Sequence, residues 1–191
     1  MIRKILYKET ELFGIKEKTK KNKKFYHYDD DIKSCEVSLT IYEFEPSARN
    51  ILFFHELKET NINYFLSFPY FQVIVAFVKK NSNGLVFAGM TKTPYDPTTN
   101  PNCYVPPLPN CYRSFAVCGI NATHDNVADL FWNSSFHGDA YDGNEYLQKS
   151  SMKNLNVWQK MSKIAPSFIL SEGCNYGNNP KPLIPTILKE L

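Results

Sequence analysis

Apolar and polar residues alternate along the N-terminal part of the chain. Val37, Leu39 and Ile41 occupy every second position of residues 36–42, and shorter alternations surround Ile2 and Ile5. A period of two places alternate side chains on one face of a strand. The pattern therefore predicts strands of a half-buried antiparallel sheet in this region.

Residues 70–78 carry the strongest strand pattern in the chain. Residues 85–90 are the expected partner, because the Asn-Ser-Asn-Gly stretch at residues 81–84 is typical of a hairpin turn. Both segments are apolar on both faces. This predicts the centre of a sheet that is covered on each side.

Two segments carry a capping residue ahead of an apolar run. Ser47 can cap a short helix through residues 51–57, and Thr123 can cap a helix that reaches Trp132. The residues expected to share the apolar face of the second helix are Val127, Leu130 and Phe131.

The remaining pattern predicts one more helix and an irregular end. Residues 145–164 have helical spacing, while residues 173–185 are rich in Asn, Gly and Pro. We expect one α+β domain with a central antiparallel meander of about four strands and flanking helices. Residues 1–60 form an N-terminal β-rich extension, residues 61–165 the core, and residues 166–191 an irregular tail.

Composition excludes few classes of function. Hydrophobic residues make up 43% and aromatic residues 15% of the 191 positions, which indicates a folded protein. The net charge of +3 does not indicate nucleic-acid binding. Lysines concentrate in residues 16–24, and an acidic triplet follows at residues 29–31. A solvated hairpin loop explains this run most simply, and a phosphate-binding loop is the alternative.

The expected location is the cytoplasm. No apolar run has the length needed to span a bilayer, and residues 1–8 have too little apolar length for a secretory signal. The five cysteines are then expected to be thiols. Glycine-rich phosphate loops and dinucleotide fingerprints are absent from the sequence, so no small-molecule cofactor is expected.

Candidate chemistry lies where the proline-rich residues 91–109 end. Cys103, Cys111 and Cys118 fall close together, and Asn110 precedes Cys118 by eight residues. An exposed thiolate can attack a carbonyl carbon, and a nearby amide can donate a hydrogen bond to the resulting oxyanion. Structural roles stay open, since most cysteines are small buried hydrophobes and Asn after Pro commonly forms turns.

Two other groups of side chains are candidates for a site. A zinc site is disfavoured because the available ligands contain no short Cys-Cys pair; they are Cys103, Cys111, Cys118, His124 and His137. His137 is instead expected at a helix end, or near the cysteine as a polar neighbour or base. A solvated loop is the expected setting of the carboxylates Asp139, Asp142 and Glu145.

The segment from Leu108 to Cys118 resembles the active-site region of ubiquitin-conjugating enzymes. Leu108-Pro109-Asn110, followed at eight residues by Cys118, is similar to their His-Pro-Asn tripeptide and catalytic cysteine. The resemblance covers about residues 65–140 and is nearest to the prokaryotic branch that includes PRTRC protein B-like proteins. It implies a ubiquitin-conjugating-enzyme-like fold in a bacterial or mobile-element system.

This resemblance also implies roles and partners. Cys118 would accept a ubiquitin-like protein from a ThiF-type adenylating enzyme and pass it to an amine, while Asn110 would stabilise the oxyanion. The sequence departs from the family at Leu108, where His is usual, and at Phe115, where Gly is usual. The alternative is a non-catalytic interaction or assembly protein of a phage or plasmid that retains the fold.

Overall fold

The computed structural model has eleven strands and three helices in the residues that it describes. The described residues are 2–11, 16–20, 23–27, 35–55, 59–78, 84–99, 101–108, 110–120, 123, 125–137, 155–164 and 180–191. The strands are β1 Ile2–Glu11, β2 Lys16–Lys20, β3 Lys23–His27, β4 Cys35–Phe44, β5 Ser47–His55, β6 Thr60–Phe68, β7 Tyr70–Val78, β8 Leu85–Thr91, β9 Asn102–Cys103, β10 Ser135–His137 and β11 Lys181–Pro182. The helices are α1 Val127–Asn133, α2 Leu155–Ser162 and α3 Leu183–Leu188.

The largest sheet has four strands in the order β1-β4-β7-β8, and every pair in it is antiparallel. The predicted α+β class and the antiparallel sheet are confirmed. Neighbours β4 and β7 are separated along the chain by two further strands, so the sheet is not built from four consecutive strands. A second sheet has the order β10-β5-β6, in which β10 runs parallel to β5.

One long antiparallel ribbon connects the two sheets. Phe44 lies opposite Phe71 in the first sheet, and Ser47 lies opposite Phe68 in the second. The same register therefore continues through both ladders and puts Pro46 level with Pro69. Proline has no N–H to donate to a ladder, so two prolines at one level interrupt the pairing at that point.

Aromatic side chains fill the place where the ribbon is interrupted. The ring of Trp132 from α1 lies 5.5 Å from Phe44, 5.5 Å from Phe68 and 4.8 Å from Phe71, measured between ring centroids. The Arg49 guanidinium carbon lies 4.4 Å from the centroid of Phe44 and 4.5 Å from that of Trp132. Burial lowers the pKa of Arg49. Ring and cation contacts thus fix α1 against both arms of the ribbon.

The predicted helix at residues 51–57 is wrong, because residues up to His55 belong to β5. Burial in β5 has a period of two: Ile51 and Phe53 are buried, whereas Leu52 and Phe54 are partly exposed. A short run of Ile, Leu and Phe suits a helix or a strand equally well, and pairing with β6 decides the outcome.

Both faces of the four-stranded sheet are covered, as the sequence predicted. Val73 and Val75 join one apolar cluster with Phe131 of α1 and Trp158 of α2. The alternate residues of β7 and β8 join a second cluster with α3, and its members include Ile74, Ala76, Phe87, Leu183, Ile184 and Ile187. The tail predicted to be irregular therefore contributes a core helix. Its apolar residues follow Pro182, which ends a two-residue strand.

The other expectations for the helices and loops have mixed outcomes. Helix α1 is present, but its N-cap is Asn126, whose Oδ1 accepts a hydrogen bond of 2.7 Å from the N–H of Thr123. Leu130 is 38% exposed and does not share the buried face.

The lysine-rich run, expected as a loop, is paired as β2 and β3. The turn at residues 81–83 and the helix start at residues 145–154 lie outside the described residues.

Helix α2 covers the free edge of β6. The N–H of Phe65 donates to Gln159 Oε1 at 2.8 Å, and the N–H of Ser67 donates to Ser162 Oγ at 2.8 Å. The Ser67 hydroxyl also donates to the carbonyl oxygen of Ser162 at 2.8 Å. Side chains of a helix thus occupy the donors that an edge strand otherwise exposes to other chains. None of the helices in the described part of the chain has the length and apolar character needed to cross a bilayer.

We expect Ser162→Ala to lower the free energy of unfolding by about 1–3 kcal/mol, since it leaves the N–H of buried Ser67 without a partner. Gln159→Ala is the control. It removes the bond to Phe65, which is 45% exposed, so water replaces the lost acceptor and the loss stays below about 1 kcal/mol. Urea denaturation measures both variants. Equal losses would contradict the assignment of a buried and an exposed bond at this edge.

Candidate functional site

The segment that carries the candidate residues is fixed along the edge of β8. Met90 and Tyr104 exchange two backbone hydrogen bonds of 2.8 and 2.9 Å. Further along the strand, the N–H of Ala88 donates to the Phe115 carbonyl and the N–H of Val117 donates to the Val86 carbonyl, both at 2.8 Å. The proline-rich stretch therefore leaves β8 and returns to it. Its two ends are held by the same strand.

Residues 110–118 form a small closed loop. The N–H of Cys118 donates to the carbonyl oxygen of Asn110 at 2.9 Å, and Cys111 forms an antiparallel bridge with Val117. At the tip, the N–H of Phe115 donates to the Tyr112 carbonyl at 2.9 Å. Asn110 and Cys118, which are eight positions apart in sequence, thus lie opposite each other at the base of the loop.

Phe115 has a left-handed backbone, with φ of 70°. This conformation is costly for a residue with a Cβ and free for glycine. The side chain is fully buried in the cluster that contains Phe87 and Leu183. The favourable free energy of burying the Phe115 ring offsets the free-energy cost of its left-handed backbone. The position where the resembled family has glycine therefore keeps a backbone conformation that suits glycine, although its side chain is large.

The three clustered cysteines have different environments. Cys118 is exposed, whereas Cys103 and Cys111 are fully buried. Burial raises the pKa of Cys103 to about 12, with a smaller contribution from the negative charge of Glu43. Burial alone raises the pKa of Cys111. Both buried thiols are held in the neutral form, which is a poor nucleophile, so Cys118 is the accessible thiol of the three.

Asn110 is the second candidate, and it is only 8% exposed. Its side-chain oxygen Oδ1 is buried and has no hydrogen-bond partner among the described residues. Buried polar atoms nearly always have a partner, so an exception calls for an explanation. The backbone of Asn110 closes the loop, but this role alone does not require an amide side chain.

A buried polar row on the neighbouring strands was not predicted. Glu43, Gln72 and Gly89 lie level with each other across β4, β7 and β8. Gln72 Nε2 donates to Glu43 Oε2 at 3.0 Å and to Thr91 Oγ1 at 2.8 Å. The N–H of Tyr95 also donates to Glu43 Oε2. This row fixes the start of the proline-rich stretch to the sheet.

The signal for that row was present in the sequence. Glu43 continues the alternation of Val37, Leu39 and Ile41, so its side chain falls on the same buried face. At Gly89 an added Cβ would lie 3.2 Å from Leu183 Cδ1, so the Leu183 side chain would have to move by a few tenths of an ångström to admit one.

The alternative metal site is not formed by the described residues. They contain no cluster of three His, Cys, Asp or Glu side chains that could hold an ion. His137 belongs to β10, not to a helix end, and its ring centroid lies 5.1 Å from that of Phe54. His124 and the carboxylates at residues 139–145 lie outside the described residues.

Substitution of Phe115 tests the left-handed backbone. We expect Phe115→Ala to lower the free energy of unfolding by about 3–5 kcal/mol. Phe115→Gly should be more stable than Phe115→Ala by about 1 kcal/mol, because glycine adopts positive φ without cost. Phe87 is equally buried but lies in strand β8, so there the order of the Gly and Ala variants should reverse. The same order at both positions, measured by urea denaturation, would contradict the left-handed backbone.

Alkylation tests the assignment of the accessible thiol. In a background with Cys35→Ala and Cys174→Ala, we expect the native protein to react with one equivalent of iodoacetamide at Cys118, and the unfolded chain with three. Mass spectrometry of tryptic peptides identifies the modified residue. Native labelling of Cys103 or Cys111 at the rate of Cys118 would contradict the burial of these two thiols.

Comparison with known proteins identifies no relative from which a role could be transferred. No family model, curated protein or solved structure matches the chain. The assignment of a function therefore depends on the geometry of the loop that joins Asn110 to Cys118 and on the resemblance of its sequence.

Proposed function

We propose that the protein carries a ubiquitin-like protein as a thioester on Cys118 and transfers it to an amine. The observation that carries the proposal is the loop closed by the bond from the Cys118 N–H to the Asn110 carbonyl. It holds an exposed thiol level with an asparagine at the sequence spacing of the ubiquitin-conjugating enzymes. The partners are a ThiF-type activating enzyme and the ubiquitin-like protein.

The chemistry consists of two acyl transfers. The Cys118 thiolate attacks the carbonyl carbon of the thioester on the activating enzyme, and the thiol of that enzyme leaves with the proton that Cys118 has lost. An acceptor amine then attacks the Cys118 thioester, loses a proton, and the Cys118 thiolate leaves. Each attack creates an oxyanion, which the Asn110 side-chain amide stabilises by donating a hydrogen bond.

The departures from the family pattern are compatible with this chemistry. Leu108 is fully buried in the core at the position of the usual histidine, where it supports the loop by packing. Phe115 provides the left-handed backbone expected of the usual glycine. The ubiquitin-conjugating-enzyme-like topology remains part of the proposal, as do the bacterial or mobile-element setting and the cytoplasmic location.

A chemical thioester of a ubiquitin-like protein tests the first transfer without an activating enzyme. We expect a covalent adduct that dithiothreitol removes, and that Cys118→Ser converts into an ester resistant to dithiothreitol. Asn110→Ala should slow both loading and discharge to free lysine, each by about 10²–10³-fold, the usual effect of losing one oxyanion donor. Gel electrophoresis with and without reductant measures both steps.

Cys111→Ala is the matched control, because it removes a neighbouring buried thiol and should leave loading unchanged. A reducible adduct that survives in Cys118→Ser would contradict the proposal. Failure to load while Cys118 reacts fully with iodoacetamide would favour the alternative, a non-catalytic interaction or assembly protein that retains the fold.

A further inference from the structure

The chain segment that ends at Cys118 lies between two neighbouring segments. On one side, Ala116 forms an antiparallel bridge with Phe87 of β8. The same register places Leu85, the first residue of β8, opposite Cys118. On the other side, the N–H of Cys118 donates to the Asn110 carbonyl at 2.9 Å. Leu85, Cys118 and Asn110 therefore form one row across three segments, which we call the thiol row.

The side chains of the thiol row share one face of this small sheet. Opposed residues lie on the same face, and alternate residues of a strand return to it. Val86, Cys111 and Val117 lie between these positions and belong to the apolar cluster on the other face. Phe87 belongs to the cluster that contains α3, and Ala116 packs against it. The thiol row thus lies on the face of the sheet that α3 covers in part.

The two neighbours of Cys118 in the thiol row differ in exposure. Asn110 is 8% exposed, whereas Leu85 is 49% exposed. The side of the thiol towards Asn110 is therefore closed by the protein, and the open side lies over Leu85. Opposed residues have Cβ atoms about 4.5–5.5 Å apart. A chain that forms a thioester with Cys118 consequently contacts the Leu85 side chain.

We propose that Leu85 selects an apolar residue in the C-terminal tail of the carried protein. This inference rests on the function proposed above, in which that tail forms the thioester with Cys118. One residue of an extended chain spans about 3.4 Å, so the residue before the last one lies within reach of Leu85. An apolar side chain there removes its own surface and that of Leu85 from water. A charged side chain loses hydration and finds no opposite charge in the thiol row.

Peptide thioesters test this selection in the background with Cys35→Ala and Cys174→Ala. Acetyl-Xaa-Gly thioesters of one small thiol, with Leu, Asn, Asp or Lys as Xaa, are mixed with the protein, and the Cys118 thiolate displaces that thiol. Mass spectrometry measures the loading rate, which is divided by the rate of the same peptide with N-acetylcysteine. We expect the Leu peptide to load about tenfold faster than the Asp and Lys peptides, the effect of burying part of a leucine. Leu85→Asn should remove this preference.

Exchange of charge at the same position gives a sharper result. Leu85→Asp should make the Lys peptide load faster than the Asp peptide, and Leu85→Lys should give the opposite order. The ratio between two peptides cancels any change in the reactivity of the thiol itself. Leu130→Asp is the matched control, because it changes a leucine of α1 that is 38% exposed. It should keep the order of the unchanged protein.

Two groups of results would overturn the inference, and they are distinguishable. Equal loading of the four peptides, the same charge order in Leu85→Asp and Leu85→Lys, or an equal shift in Leu130→Asp would exclude selection by Leu85 and leave the thioester chemistry intact. Failure of every peptide to load, while Cys118 reacts fully with iodoacetamide, would overturn the proposed function and this inference together.

Discussion

The packing of Trp132 against the interrupted ribbon is the interaction on which the rest of the structure depends. Pro46 and Pro69 stop the ladder at one level, and the rings of Phe44, Phe68 and Trp132 meet there. Because the register is the same on both sides, a slip of one residue would move the apolar residues of both sheets to the wrong face. The two apolar clusters therefore depend on one pairing, which the prolines interrupt but do not shift.

The candidate site is built outward from that ribbon in two steps. β8 pairs with β7, which is one arm of the ribbon, and the returning chain then pairs with β8 at Tyr104 and Val117. The row of Glu43 and Gln72 fixes the beginning of the intervening stretch by binding the N–H of Tyr95. The loop that ends at Cys118 is thus attached to β8 by backbone bonds, and its position does not depend on side-chain contacts at the surface.

The sequence predicted features that are set by local periodicity. Val37, Leu39 and Ile41 are buried as their alternation indicated, and both faces of β7 are covered because both are apolar. The predictions failed where pairing or packing with a segment distant in sequence determines the secondary structure. Residues 51–55 became a strand through pairing with β6, and the Pro-containing segment after Pro182 became a helix that covers the sheet. For the site, sequence spacing indicated Asn110 and Cys118, but the φ of Phe115 is set by tertiary packing.

Phe115 shows how a loop can keep a backbone conformation that favours glycine although no glycine is present at that position. Glycine would adopt the positive φ freely, but it has no side chain to anchor the loop tip and it adds freedom to the unfolded chain. Phe115 accepts a backbone cost of about 1–2 kcal/mol and buries an aromatic ring in the cluster that contains Leu183. Full burial of such a side chain contributes about 1.5–3 kcal/mol, so the two terms nearly balance. Strain kept at one residue by the surrounding core is a feature found at functional sites, and here it lies three residues before the accessible thiol.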